Sequence, residues 1–143
     1  YICAVQANYI QVSGTFDAAG RVALNSISAQ WPLIIDRIIY QVGNVSAGNV
    51  RLGIYREGAI ADSPAGAALV VESASVVQSA ANCIQVVTVA DTLLIPGQYF
   101  VGIQGSDAAG TFAYFHDSAS LIGKTYDRSG GYGAFTDPCP TVA

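Results

Sequence analysis

Charge is what this chain has least of. Acids and bases together make up 11% of its 143 residues, roughly half the usual share. There is one lysine, one histidine, one tryptophan and no methionine. Ten acids against six bases leave a net charge of −4, and no basic run exists, which excludes a phosphate-backbone partner. The acids are scattered, which excludes an acidic interaction tail. So sparse a surface charge fits either a Ser/Thr/Gly/Gln-rich solvated surface or one covered by neighbouring copies. Long apolar runs are missing too: stretches such as Leu33-Ile34-Ile35 fall far short of the ~20 residues that cross a bilayer.

Cysteine is scarce and badly spaced for metal. Cys3, Cys83 and Cys139 contain no Cys-x-x-Cys pair, and one histidine accompanies them, so the usual zinc patterns are excluded and neither metal nor cofactor is expected. Cys3 and Cys139 lie near the two chain ends, which are often close in a compact domain. They form a candidate disulfide, with Cys83 then a buried thiol in the apolar segment 83–87; three reduced thiols are the alternative. The sequence opens on Tyr1 rather than Met and carries no basic stretch followed by a long apolar one, which reads as a removed leader or a segment of something longer. A single sequon, Asn44-Val45-Ser46, is about what chance supplies and carries little weight.

What is present is apolar: 52% of the residues are hydrophobic, enough for one domain of this length to bury a substantial core. The periodicity is two. In Asn49–Arg56, Val50, Leu52 and Ile54 alternate with Asn49, Arg51 and Gly53, a strand with one buried face. Leu33–Val42 sets Ile34, Ile38, Tyr40 and Val42 against Ile35, Arg37, Ile39 and Gln41, and its β-branched density makes it a central strand. Residues 98–104 oppose Tyr99, Val101 and Ile103 to Phe100, Gly102 and Gln104, while Thr111–His116 opposes Phe112 and Tyr114 to Ala113 and Phe115. Further strands are expected at 4–13, 21–25, 68–77 and 83–89. Turn signals separate them at 17–20, 46–49, 62–66, 96–97 and 106–110. Pro64 and Gly66 interrupt the Ala-rich stretch 59–69, which is therefore a loop rather than a helix. About eight short strands without βαβ alternation predict a single all-β domain over 1–143, an antiparallel β-sandwich or jelly roll with little or no helix.

The two ends stand apart. Segment 129–143 turns aromatic and Gly-rich, a C-terminal arm that Tyr132 and Phe135 either pin across the sandwich or offer to a neighbour. Segment 1–12, with Ile2, Ala4, Ile10 and Val12, is a candidate anchoring or exchanged strand.

Catalytic patterns are weak. His116 is followed by Asp117 and Ser118, but adjacent residues on an extended chain point to opposite faces and cannot orient one another. The two glutamates, Glu57 and Glu72, flank one loop and are expected to solvate strand ends rather than act as a hydrolytic pair. The Gly-rich run 130–133 lacks the lysine and helix of a phosphate cradle, and no Asp-x-Asp cluster suggests calcium. Aromatics could form a sugar-stacking platform, but Phe100, Phe112, Tyr40 and Tyr55 lie within strands, where core filling is expected. Trp31-Pro32, before the central strand, is expected to plug one end of the sandwich.

Three segments carry a resemblance: Trp31-Pro32-Leu33-Ile34-Ile35-Asp36-Arg37-Ile38, Val50-Arg51-Leu52-Gly53-Ile54-Tyr55-Arg56 and Leu94-Ile95-Pro96-Gly97-Gln98-Tyr99-Phe100-Val101-Gly102-Ile103-Gln104. Between the second and third come Pro64-Ala65-Gly66 and Leu69-Val70-Val71-Glu72-Ser73. Over residues 30–116 the chain resembles a β-sandwich module of bacteriophage structural proteins, namely head-decoration or fibre proteins and tail-fibre domains. The resemblance implies a non-enzymatic protein of the virion surface that works as a homo-oligomer. Its partners would be copies of itself and a capsid or tail protein, with a host-surface glycan as a further candidate and no nucleic acid or membrane span. Loops 59–67 and 106–110, and the aromatics Trp31, Tyr132 and Phe135, are the candidate contacts. The main alternative is a secreted, extracellular prokaryotic filament or pilus subunit that donates its N-terminal strand; a carbohydrate-binding module is the third.

Overall fold

The computed structural model describes residues 10–15, 20–61, 63–116, 124–127 and 131–140, with side-chain surroundings for 20–61, 63–112 and 131–140. Strands run in order as β1 (Ile10–Thr15), β2 (Arg21–Ala29), β3 (Leu33–Val42), β4 (Asn49–Arg56), β5 (Ala68–Glu72), β6 (Val76–Val77), β7 (Ile84–Leu94), β8 (Gly97–Gly105), β9 (Thr111–His116) and β10 (Lys124–Asp127). No helix occurs among the described residues. Each segment expected to be extended carries a strand. The stretch 68–77 is split, because Ser73 turns inward: its hydroxyl accepts from the Leu52 N–H at 3.0 Å and donates to the Ala74 carbonyl at 2.8 Å. That hydroxyl takes the place of a ladder carbonyl. β10, in a stretch without hydrophobic alternation, was not expected.

All pairings are antiparallel, in two sheets ordered β1-β9-β3-β7 and β10-β2-β8-β4-β5, with β6 also on β4. The pairs nest: β1 with β9, β2 with β8, β3 with β7 and β4 with β5. A long hairpin rolled up in this way is a jelly roll, with β10 added at the edge beside β2. The all-β sandwich expected from period-two patterning is therefore the observed architecture.

Between the sheets lies the main core, where Ile35, Ile38, Val50, Leu52, Ile54, Val87, Leu94, Tyr99 and Phe112 are buried. β3 does not alternate as its sequence suggests. Its register with β7 slips between Ile35 and Arg37, so Ile35 and Ile38 both face inward while Ile34 is 70% exposed. A bulge of this kind reverses which parity faces the core. Ile34 and Ile38 thus fall on opposite faces, a correction to the simple alternation.

β4 is likewise buried on both faces rather than one. Val50, Leu52 and Ile54 join the main core, and Tyr55, on the other side, is fully buried with Val22, Leu24, Ala67, Phe100, Phe135 and Cys139. That second core forms because segment 131–140 crosses the outer face of the larger sheet. Gly53 and Gly102 leave the space: a Cβ there would lie 3.1 Å and 2.9 Å from the Phe135 ring. The ring fills the gap over two side-chain-free positions and meets Tyr55 edge-on, with centroids 5.9 Å apart, a favoured aromatic geometry.

Gly20 is where the near end of segment 131–140, the strap, approaches the sheet. It has φ +86°, and a Cβ would stand 2.3 Å from the Gly131 carbonyl carbon and 2.6 Å from the Tyr132 nitrogen, both backbone. Gly66, φ +75°, has open space instead. Gly66→Ala is expected to cost only the backbone strain, about 1 kcal/mol. Gly20→Ala adds a collision that backbone cannot relieve locally and should cost at least about 2 kcal/mol more. Urea denaturation of the two variants reads the difference; equal midpoints would mean that the strap does not sit against Gly20.

Candidate assembly surfaces

The strap is held by groups along its length. The Phe135 N–H donates to Glu72 Oε2 at 2.9 Å, the Tyr55 hydroxyl to the Thr136 carbonyl at 2.7 Å, and the Leu69 N–H to Asp137 Oδ1 at 2.9 Å. Gly66 donates to the Cys139 carbonyl and Cys139 to the Ala67 carbonyl, each at 2.8 Å. The Gln104 amide, on a fully buried side chain, reaches the Gly133 carbonyl. Over its described residues, 131–140, the C-terminal segment lies pinned across the sandwich. Glu72 is not a solvated strand end: besides the strap it faces Arg51 at 3.6 Å.

The candidate contact aromatics separate accordingly. Phe135 is buried in the second core and is not presented to a partner. Tyr132 is half-buried, its hydroxyl 2.7 Å from Ser75 Oγ. Trp31 is 76% exposed and does not plug the sandwich, because wholly buried Leu94 and Tyr99 already close that end; the Tyr99 hydroxyl donates to the Ile95 carbonyl at 2.7 Å. The candidate contact loops are tight. In 106–110, Asp107 Oδ1 accepts from Ala109 at 2.8 Å and Ser106 is tied to Asn49. In 59–67, Ile60 at the tip is exposed while Pro64 and Ala67 are buried under the strap.

At the N-terminal end, Ile10 and Val12 stand on β1, opposite His116 and Tyr114 of β9; Ile2 and Ala4 lie outside the described residues, as do Asp117 and Ser118. His116 ends β9. Among the described residues no three His, Cys, Asp or Glu side chains converge as a metal site, and no helix is long and apolar enough to cross a membrane.

Of the thiols, Cys83 departs from expectation. Cys83 is exposed rather than buried: it closes a turn with its N–H on the Ala80 carbonyl, just ahead of β7, whose outer face is open. Cys139 is a free, buried thiol, and burial pushes it up to about 11 from an ordinary 9.0. Cys3, its candidate disulfide partner, lies outside the described residues. Burial also raises the Tyr40 hydroxyl to about 12. Above pH ~9 the unfolded chain loses the Cys139 proton while the folded chain keeps it, so stability falls as pH rises; the Tyr40 contribution extends the fall towards pH 12. Native dithionitrobenzoate labelling of a Cys3→Ser variant should titrate Cys83 alone, with Cys139 reacting only on unfolding. Two fast thiols would contradict the strap.

The remaining surface feature is apolar. On the outer side of the smaller sheet, Ile34 faces Leu93 and Ile39 faces Val86 across β3 and β7, with Ile84 beside them opposite Gln41. Ile34, Ile84, Val86 and Leu93 are 53–71% exposed. Comparison with protein-family models, with curated proteins and with solved structures finds no match.

Proposed function

We propose that this domain is a non-enzymatic building unit of a virion surface, a capsid decoration protein or fibre domain that acts through contacts between copies. The observation that carries the reading is the closure of the domain upon itself. β1 is already an end strand of its own sheet, paired with β9 through six residues, and the strap covers the outer face of the other sheet. A unit of this kind is added to an assembly whole. A strand donor instead leaves its own sheet incomplete. Placement on a virion rests on the resemblance over residues 30–116, since a jelly roll hosts many functions and does not choose among them.

Deleting residues 1–12 tests the choice. The closed unit predicts that the synthetic peptide 1–12 does not restore the deleted protein in trans, and that the full chain gives a discrete mass by light scattering. Rescue by the peptide, or open fibres grown from purified subunits, would establish the strand-donating filament subunit instead. Glycan binding has one observation in its favour, the exposed Trp31, which is the kind of flat aromatic that sugars stack on. A glycan array probed with the native protein and with Trp31→Ala decides that point.

A further inference from the structure

We propose that the surface through which copies associate is the outer face of the smaller sheet along β3 and β7, packed against the same face of a second copy about a two-fold axis. This rests on the self-associating reading above and names the surface that reading leaves open. Among the described residues the other large exposed apolar side chains are Trp31, Val45, Ile60, Val77 and Ile95, none of them on β3 or β7. On this face exposed Ile34 pairs with exposed Leu93, and beyond Arg37 and Thr88 half-buried Ile39 pairs with exposed Val86, next to exposed Ile84. Exposed apolar side chains gathered on one sheet face mark an interaction site rather than ordinary scatter.

The occupant follows from shape and charge. Branched side chains on a pleated sheet make a flat surface, and the flat apolar surface that fits it is another sheet face, packed as sheets stack in a sandwich. Among the described residues of β3 and β7, the charges are Asp36, Arg37 and Asp91. Asp36 and Arg37 are adjacent, opposite in sign and bonded to each other, Nε to Oδ1 at 2.9 Å. That hydrogen bond holds the Asp36 carboxyl below its ordinary value. A two-fold axis near such a pair brings each carboxylate towards the partner's guanidinium, so the Asp36–Arg37 pair is complementary to its own copy, as an isologous interface favours, with Asp91 the one charge outside the match. The chain's net charge of −4 disfavours an anionic membrane or nucleic acid as its occupant.

The experiment is sedimentation velocity on the native chain and on three single variants, Val86→Lys, Ile84→Lys and Ile60→Lys. All three positions are exposed, so the fold should survive, and far-ultraviolet circular dichroism with a thermal melt checks that it does. The native chain should sediment as a multiple of the 14.8 kDa protomer. Lysine at Val86 or Ile84 should weaken association at least about thirtyfold, as at the centre of an interface. Lysine at Ile60, on loop 59–67, should leave it unchanged. A native oligomer insensitive to both face variants, or broken by Ile60→Lys alone, overturns the assigned surface and leaves the self-associating reading standing. A native chain that stays monomeric at all concentrations overturns both.

Discussion

Phe135→Ala should lower the unfolding free energy by about 3–5 kcal/mol, the usual cost of removing a large buried aromatic. The ring is 6% exposed and stands over Gly53 and Gly102, which have no side chain with which to collapse into the space. Poor collapse puts the loss near the upper end of that range. Tyr55 loses its edge-on partner. The strap also loses its apolar anchor, although Glu72, Asp137 and the Cys139 backbone still hold it. Hydrogen exchange should then show faster opening in 131–140 than between the sheets. A loss below about 1 kcal/mol in guanidinium denaturation would mean that the second core is not formed in solution.

Leu52→Ala, on the inner face of the same sheet, should cost about 2–5 kcal/mol, but with a different distribution. Leu52 is 1% exposed and lies between the two sheets, its N–H held by the Ser73 hydroxyl. The cavity therefore weakens the contact that makes the sandwich, and protection should fall in strands of both sheets together. Combined with Phe135→Ala the losses should add within about 0.5 kcal/mol, because one sheet's backbone separates the two sites. Strong non-additivity would mean that the strap and the inter-sheet core are one cooperative layer.

The sequence made the strands legible where one face meets the core and the other meets solvent, as in Val50, Leu52 and Ile54. Alternation weakened wherever a second contact intervened. β2 ends four residues later than its pattern suggests: Asn25, Ser26 and Ser28 are exposed and hide the alternation, while Ile27 and Ala29 still pack inward against the main core. In β3, nothing in Ile34-Ile35-Asp36-Arg37 marks the slip that sends Ile34 outward, since the bulge is a property of the pairing with β7. The strap was half-legible. Tyr132 and Phe135 suggested an arm pinned by aromatics, and Gly53 and Gly102 interrupt two strands at the positions Phe135 covers, but only the fold brings the two glycines side by side. Trp31 and Cys83 were misplaced for one reason: apolar character implied burial, when the end of the sandwich and the outer side of β7 were already outside the closed core. The apolar outer face could not be read from the chain alone, because outward Ile34, Ile84, Val86 and Leu93 are as apolar as the inward Ile35, Ile38, Val87 and Leu94.

Cryo-electron microscopy of the native assembly tests the central claim most directly. If the domain is a closed surface unit, reconstructions will show it on a shell or tail as discrete clusters of copies, each with β1 beside its own β9 and the strap over its own larger sheet. Free filaments in which residues 1–12 of one copy complete the sheet of the next would contradict it.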